Sequence, residues 1–166
     1  MRKIINHIIP FILLLLISCN KNPVTPKEQF IKIHFYYGFG NELNTFEQTY
    51  QKDLALDGSV KIPFWFTAEE QEQIITKVQA VNFFQFPDTI CFNSETDSFT
   101  VTIEPNPGRQ FLRILYQEQD KIVNWYLPLP DNEYSISLLE LIEHIISIIE
   151  SKPEYQSPPP MRSGYI

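Results

Sequence analysis

Thr49 to Val81, TYQKDLALDGSVKIPFWFTAEEQEQIITKVQAV, carries two strand patterns, a turn and a helix start in 33 consecutive residues. In Thr49–Leu56, Tyr50, Leu54 and Leu56 fall on one side, and Gln51, Asp53 and Ala55 on the other. That two-residue period predicts a strand with one buried face. Asp57-Gly58 predicts a two-residue hairpin, because both turn positions favour positive φ. Val60–Phe66 is then the returning strand, and Pro63, which has no N–H to donate, places it at a sheet edge. Thr67-Ala68-Glu69-Glu70 reads as a capping box, with reciprocal bonds between the Thr67 and Glu70 side chains and backbone amides. Behind it, Ile74, Ile75, Val78 and Val81 form the apolar stripe of a helix to about Val81.

Working outward, Phe30–Tyr37 alternates, with Phe30, Ile31, Ile33, Phe35 and Tyr37 set against Lys32, His34 and Tyr36, and Gly38 and Gly40 end it. Asn41–Phe46 reads as a long loop between strands. Phe83, Phe84 and Phe86 form an aromatic plug that Pro87 closes. Phe99–Ile103, Gln110–Tyr116 and Ile122–Tyr126 are further strands, and Pro105–Arg109 is a turn. Tyr134–Ser151 is a second helix with Leu138, Leu141, Ile142, Ile145, Ile148 and Ile149 on its apolar side. The order β-β-β-α-β-β-β-α predicts an α+β, two-layer sandwich: an antiparallel sheet with two helices on one face.

The chain has 166 residues, 43% hydrophobic and 20% charged, with 13 Phe, 8 Tyr and 2 Trp. That composition forms a core and excludes wholesale disorder. The net charge is −7. With no basic cluster longer than Arg2-Lys3, phosphate-driven nucleic-acid binding is not expected.

The first residues read as an address. Arg2 and Lys3 precede the apolar run Ile8–Ile17 (IIPFILLLLI), which is too short for a spanning helix of roughly 20 residues and matches a signal-peptide core. Leu16-Ile17-Ser18-Cys19 resembles the bacterial lipobox. The resemblance implies cleavage after Ser18, a diacylglycerol thioether on Cys19 and an acylated (palmitate-type) amino group. Two or three chains anchor stably where one is marginal, at about 0.8 kcal/mol per buried CH₂. Removing 1–18 takes Arg2 and Lys3 from the 13 basic residues and leaves 11 against 20 acidic, a net −9. Asn20, in place of Asp, points to the outer membrane, periplasmic side, over the inner membrane. Segment 19–29 is the lipidated Cys and a Pro-containing tether, 30–153 a single domain, and 154–166 a Pro-rich tail whose Tyr165 and Ile166 either hang free or dock back.

Few residues carry catalytic chemistry. The mature chain keeps His34 and His144. His34 shares a strand face with Lys32 and Tyr36, and His144 sits four residues after Glu140, which adds a few tenths of a kcal/mol to a helix. No HxH, HxxxH or CxxC spacing supports a metal, and no cofactor is expected. Glu95 and Asp97 read as a polar turn, since the glycine of a calcium loop is missing. Gly38-Phe39-Gly40-Asn41 lacks the Lys and the following helix of a phosphate loop. Cys91, left as a free thiol between apolar neighbours, is expected to be a buried small hydrophobe. Alternation turns only half of each strand inward, so Tyr36, Tyr37 and Trp65 are the candidate interaction surface. The alternative is a core extended over them by the tail.

Leu16–Cys19, Phe35–Gly40, Asp57-Gly58, Thr67–Glu70, Asn82–Pro87 and Pro153–Pro160 together resemble a family of small bacterial lipoproteins with an α+β domain. The resemblance implies a lipid-anchored envelope protein and transfers no catalytic residue. The expected activity is binding of an envelope protein or polymer, with the membrane as second partner through Cys19. An inhibitor or immunity-type lipoprotein that blocks a toxin or hydrolase comes second, since an acidic surface steers toward a basic partner. A hydrolase comes third.

Overall fold

The structure is a computed structural model, and it describes residues 30–91 and 107–158. Ile31–Tyr37 forms β1, and its alternation puts Ile31, Ile33 and Phe35 fully inside. Gln110–Tyr116 (β6) and Gln119–Trp125 (β7) follow the same rule, burying Leu112, Ile114, Val123 and Trp125. Thr49–Asp53 (β3) and Ser59–Pro63 (β4) form a hairpin, and Asn41–Asn44 (β2) and Thr89–Ile90 (β5) complete one open sheet of seven strands. The order is β4-β3-β2-β1-β6-β7-β5. Every pair is antiparallel except β5 with β7. Pro63 lies on the edge strand β4, where its missing N–H costs no ladder bond.

Helix α1 (Ala68–Ala80) starts at Thr67 with both halves of the capping box formed. Thr67 N donates to Glu70 Oε2 at 2.7 Å, and Glu70 N donates to Thr67 Oγ1 at 3.2 Å. Ile74 and Val78 are buried, and Ile75 and Val81 pack at the margin. Helix α2 (Glu133–Ser151) buries all six residues of its expected stripe. Both helices join the inward side chains of β1, β6 and β7 in one core, with Phe83 and Phe86 plugging its end. Each such buried side chain contributes about 1.5–3 kcal/mol. The opposite sheet face has no helix over it among the described residues, which makes the fold an α+β two-layer sandwich.

Several local expectations are corrected. Asn41–Phe46 is not a plain loop, since its first four residues are β2, paired on both sides. With Leu43 its only apolar residue, this strand owes its existence to its neighbours. The β3–β4 connection is not a two-residue turn. It runs over Leu54–Gly58, with a 3-10 turn at Ala55–Asp57 and positive φ at Ala55 (55°) and Gly58 (79°). Asp53 Oδ1 accepts the Ala55 N–H at 3.1 Å and starts this turn early, which leaves Leu56 87% exposed instead of on the strand's buried side. Strand β7 begins at Gln119, after a two-residue reversal at Gln117-Glu118 with Gln117 at φ 55°. Helix α2 stops at Ser151, two residues before Pro153, and Pro153–Gln156 then forms a further turn of helix, α3. Its Tyr155 ring lies 5.7 Å from that of Tyr50, so the chain just past residue 153 packs on the domain. The strand expected at Phe99–Ile103 and the residues of the tail beyond 158 lie outside the described residues.

Candidate functional site

The uncovered face of the sheet is where the described residues place convergent polar and aromatic side chains. Directly opposed residues of an antiparallel pair share a face, about 4.5–5.5 Å apart at Cβ. The register therefore sets two rows. One runs Asn44, His34, Arg113, Ile122, and the next runs Glu42, Tyr36, Phe111, Asn124. Arg109 precedes β6 with the same parity as Phe111 and Arg113. Together these strands floor an open depression of about 680 Å³.

The polar groups in it are tied by diagonal contacts between adjacent strands. His34 Nε2 and Glu42 Oε1 are 2.6 Å apart. Arg113 grips Asp120 with two bonds, Nε to Oδ1 at 2.9 Å and Nη2 to Oδ2 at 2.6 Å. Hydrogen bonding by this guanidinium holds the Asp120 carboxyl below the usual carboxylate range, and Asp120 raises Arg113 in turn. Lys121 Nζ pairs with Asp88 Oδ1 at 2.5 Å. Phe46, from the turn after β2, lies under the Arg113 guanidinium at 4.8 Å. The His34 ring meets Phe111 edge-on at 4.8 Å, and Tyr36 lies near-parallel to Phe111, 12° off at 6.2 Å. Most of the side chains that shape the depression are thus held in one orientation before any ligand arrives.

Of the expected interaction residues, only Tyr36 is on this site, half-buried on the outer face. Tyr37 is corrected, because strand parity turns it inward. Its ring stacks on Phe35 at 4.4 Å, and its phenol meets that of Tyr50 at 2.9 Å. Burial pushes the pKa of both phenols well above the ordinary tyrosine value. Trp65 is half-buried just past β4, with β3 and β2 between that strand and β1, so the three residues do not form one patch. Cys91 is also corrected: it is a free, exposed thiol, at the end of a β5 too short to carry it inward. His144 is half-buried on α2, and its Nε2 is enclosed without a hydrogen-bond partner among the described residues. Gly38 serves the fold, at φ +61° with its backbone clamped by the Gln110 amide through two 2.9 Å bonds. Cys19, Glu95 and Asp97 lie outside the described residues.

Arg109, Phe111, Arg113 and Asp120 were missed by sequence reasoning. The available signal was a parity conflict in Gln110–Tyr116, where Gln110 faces in and Phe111 faces out. Among the described residues, no group of three or more metal-ligating side chains converges, and no helix is long and apolar enough to cross a membrane.

No family model, curated protein or solved structure matches the chain. The depression and its chemistry are the ground for a functional reading.

Proposed function

We propose that this chain is a lipid-anchored protein of the bacterial cell envelope, attached through acyl chains on Cys19, whose α+β domain binds a partner through the outer face of its sheet. The observation that carries the binding part is the depression itself. In a two-layer fold one sheet face is left without a helix, and here that face holds ordered ion pairs around Phe111 and Tyr36. Rigid aromatics amid fixed polar groups are the usual make-up of a recognition surface. The anchoring part is supported by Leu16–Cys19 behind an apolar run of signal-peptide length.

A second reading, an inhibitor of a basic toxin or hydrolase, is favoured by the helical layer. There Glu69, Glu70, Glu72, Glu133, Glu140, Glu143 and Glu150 stand against Lys77 and Lys152. A hydrolase reading would use His34 and Glu42. The described lining of the depression contains no Ser, Thr or Cys to serve as its nucleophile.

The test is membrane fractionation and in-cell cross-linking of wild type beside Cys19→Ala and Phe111→Ala. Wild type is expected in the membrane pellet and Cys19→Ala in the soluble fraction. Phe111→Ala is expected to stay anchored and to lose its cross-linked partner. Cys19→Ala remaining in the pellet with residues 1–18 removed refutes lipid as the sole anchor. A partner retained by Phe111→Ala but lost on reversing the charge of Glu140 and Glu143 would move the assignment to the helical face and the inhibitor reading.

A further inference from the structure

We infer that the depression on the outer sheet face binds an acidic oligosaccharide, with a sugar ring against Phe111 and Tyr36 and a carboxylate on Arg109. This rests on the binding-module reading and names the chemistry of its partner.

Charge is the first support. Among the described residues, eight Lys and Arg stand against sixteen Asp and Glu. The depression evens that balance, with Arg109, Arg113 and Lys121 against Asp88, Asp120 and the His34-bonded Glu42. Arg113 and Lys121 already hold those carboxylates. Arg109 is exposed and has no partner among the described residues, so a ligand carboxylate gains a guanidinium without breaking an existing pair. On a chain of net −7, Arg109 offers an incoming anion an exposed guanidinium.

The backbone supplies the second support. Through the depression β1 and β6 are paired on both sides, His34 with Asn44 and Arg113, and Phe111 with Tyr36 and Asn124, while β7 meets β5 only at Asn124 and Trp125. A peptide cannot add as a strand against β1 or β6, because their N–H and C=O groups are committed to the ladder. Over β1 and β6, recognition falls to side chains alone.

Those side chains suit a polyhydroxylated ring. Glu42 takes His34 Nε2, which leaves Nδ1 to bond a ligand hydroxyl, as an acceptor in the neutral ring and a donor in the charged one. Asn124 Nδ2 donates to the Asp88 carbonyl at 3.1 Å, which leaves its Oδ1 as a second acceptor. Phe111 lines the depression and Tyr36, near-parallel to it at 6.2 Å, borders it, which gives the C–H side of a pyranose an aromatic surface to pack on. The volume, about 680 Å³, lies within the usual range of small-ligand sites.

The experiment titrates the full chain carrying Cys19→Ala with a hexamer of galacturonic acid, followed by calorimetry. Saturable binding is expected, weakening as salt is raised. Arg109→Ala should raise Kd about tenfold, the loss of one charge-assisted bond. Phe111→Ala should weaken binding comparably, while Lys61→Ala on the far edge strand should leave it unchanged. Uncharged maltohexaose should bind at least about tenfold more weakly, for the same missing bond. No saturable binding of the hexagalacturonate, indifference to Arg109→Ala, or equal binding of hexaglutamate would each overturn the assignment. A photo-cross-linker at position 36 separates this failure from that of the underlying reading. A protein captured there in intact cells, with no oligosaccharide bound, sinks the sugar assignment and leaves the binding face standing. No capture and no binding sink both.

Discussion

Replacing Lys152 by Met should destabilise the domain by about 3 kcal/mol, at the lower end of what breaking a buried ion pair costs. Lys152 follows α2 directly and is 8% exposed. Its Nζ donates to both carboxylate oxygens of Glu70, at 2.9 and 2.7 Å. The same carboxylate accepts Thr67 N in the capping box, so one side chain closes the start of α1 and ties it to the end of α2, 82 residues away. Met keeps most of the stem's volume, so the cost is not a cavity. It comes from stranding the Glu70 charge, whose side chain retains only 20% exposure for rehydration. The reverse change, Glu70→Gln, strands an ammonium that is 9% exposed, with the Phe64 ring at 5.5 Å as its remaining neighbour. It should cost about 3–4 kcal/mol. The double variant leaves neither charge and should lose only about 1 kcal/mol, less than either single change. Urea unfolding at pH 7 measures all three, with the midpoint moving at constant slope. Thermal unfolding of Lys152→Met should drop by roughly 10 °C. A loss below about 1 kcal/mol for Lys152→Met, or a double variant equal to the sum of the singles, would refute the coupling.

Alkaline pH should unfold the domain through its buried phenols. The folded pKa values of Tyr37 and Tyr50 are raised above the ordinary 10.0, so the unfolded chain gives up these protons first. Stability is full below pH 10 and falls above it, by up to about 1.4 kcal/mol per pH unit for each phenol. Tyr155, packed on Tyr50, is raised as well, so Tyr37→Phe should remove about a third of the slope in denaturant titrations between pH 9.5 and 11.5, and an unchanged slope would contradict the burial. Gln71→Met should cost about 2 kcal/mol in urea unfolding. Gln71 is fully buried, with Oε1 accepting Phe30 N at 2.7 Å and Nε2 donating to the Phe66 carbonyl at 3.3 Å. A change within measurement error would mean that water replaces these bonds. Cys91 should be alkylated by a maleimide in the native protein as fast as in denaturant, and marked native protection would contradict its exposure.

What was legible in advance followed from short-range pattern. Thr67 and Glu70 are three residues apart, and a capping box needs nothing more distant. The stripe from Leu138 to Ile149 repeats at the helical period, and every member of it is buried. Parity along β1 put Tyr37 with Phe35, and the structure agrees with that parity rather than with an exposed Tyr37. The missed elements lack such a signal. Strand β2 has one apolar residue in four, and β5 is two residues long with a parallel partner more than thirty positions away. The loop from Leu54 to Gly58 looked like a tight hairpin until the Asp53 side chain was seen to start its turn.

The candidate site divides in the same way. The alternation in Phe30–Tyr37 and Gln110–Tyr116 showed that each strand has two unlike faces, so an α+β sandwich and most of its inward side chains were determined by the sequence itself. Which polar residues would meet was not. His34 and Arg113 are neighbours because β6 returns beside β1 in one register, and a slip of one residue would send Arg113 into the core. Arg113 meets Asp120 through the reversal at Gln117, and Glu70 meets Lys152 through the packing of two helices. Local periodicity arises from backbone geometry within one turn or one pleat. Contacts between strands and helices depend on chain reversals and on which face finds a partner, and among the described residues tertiary packing alone left the outer face of this sheet without a helix.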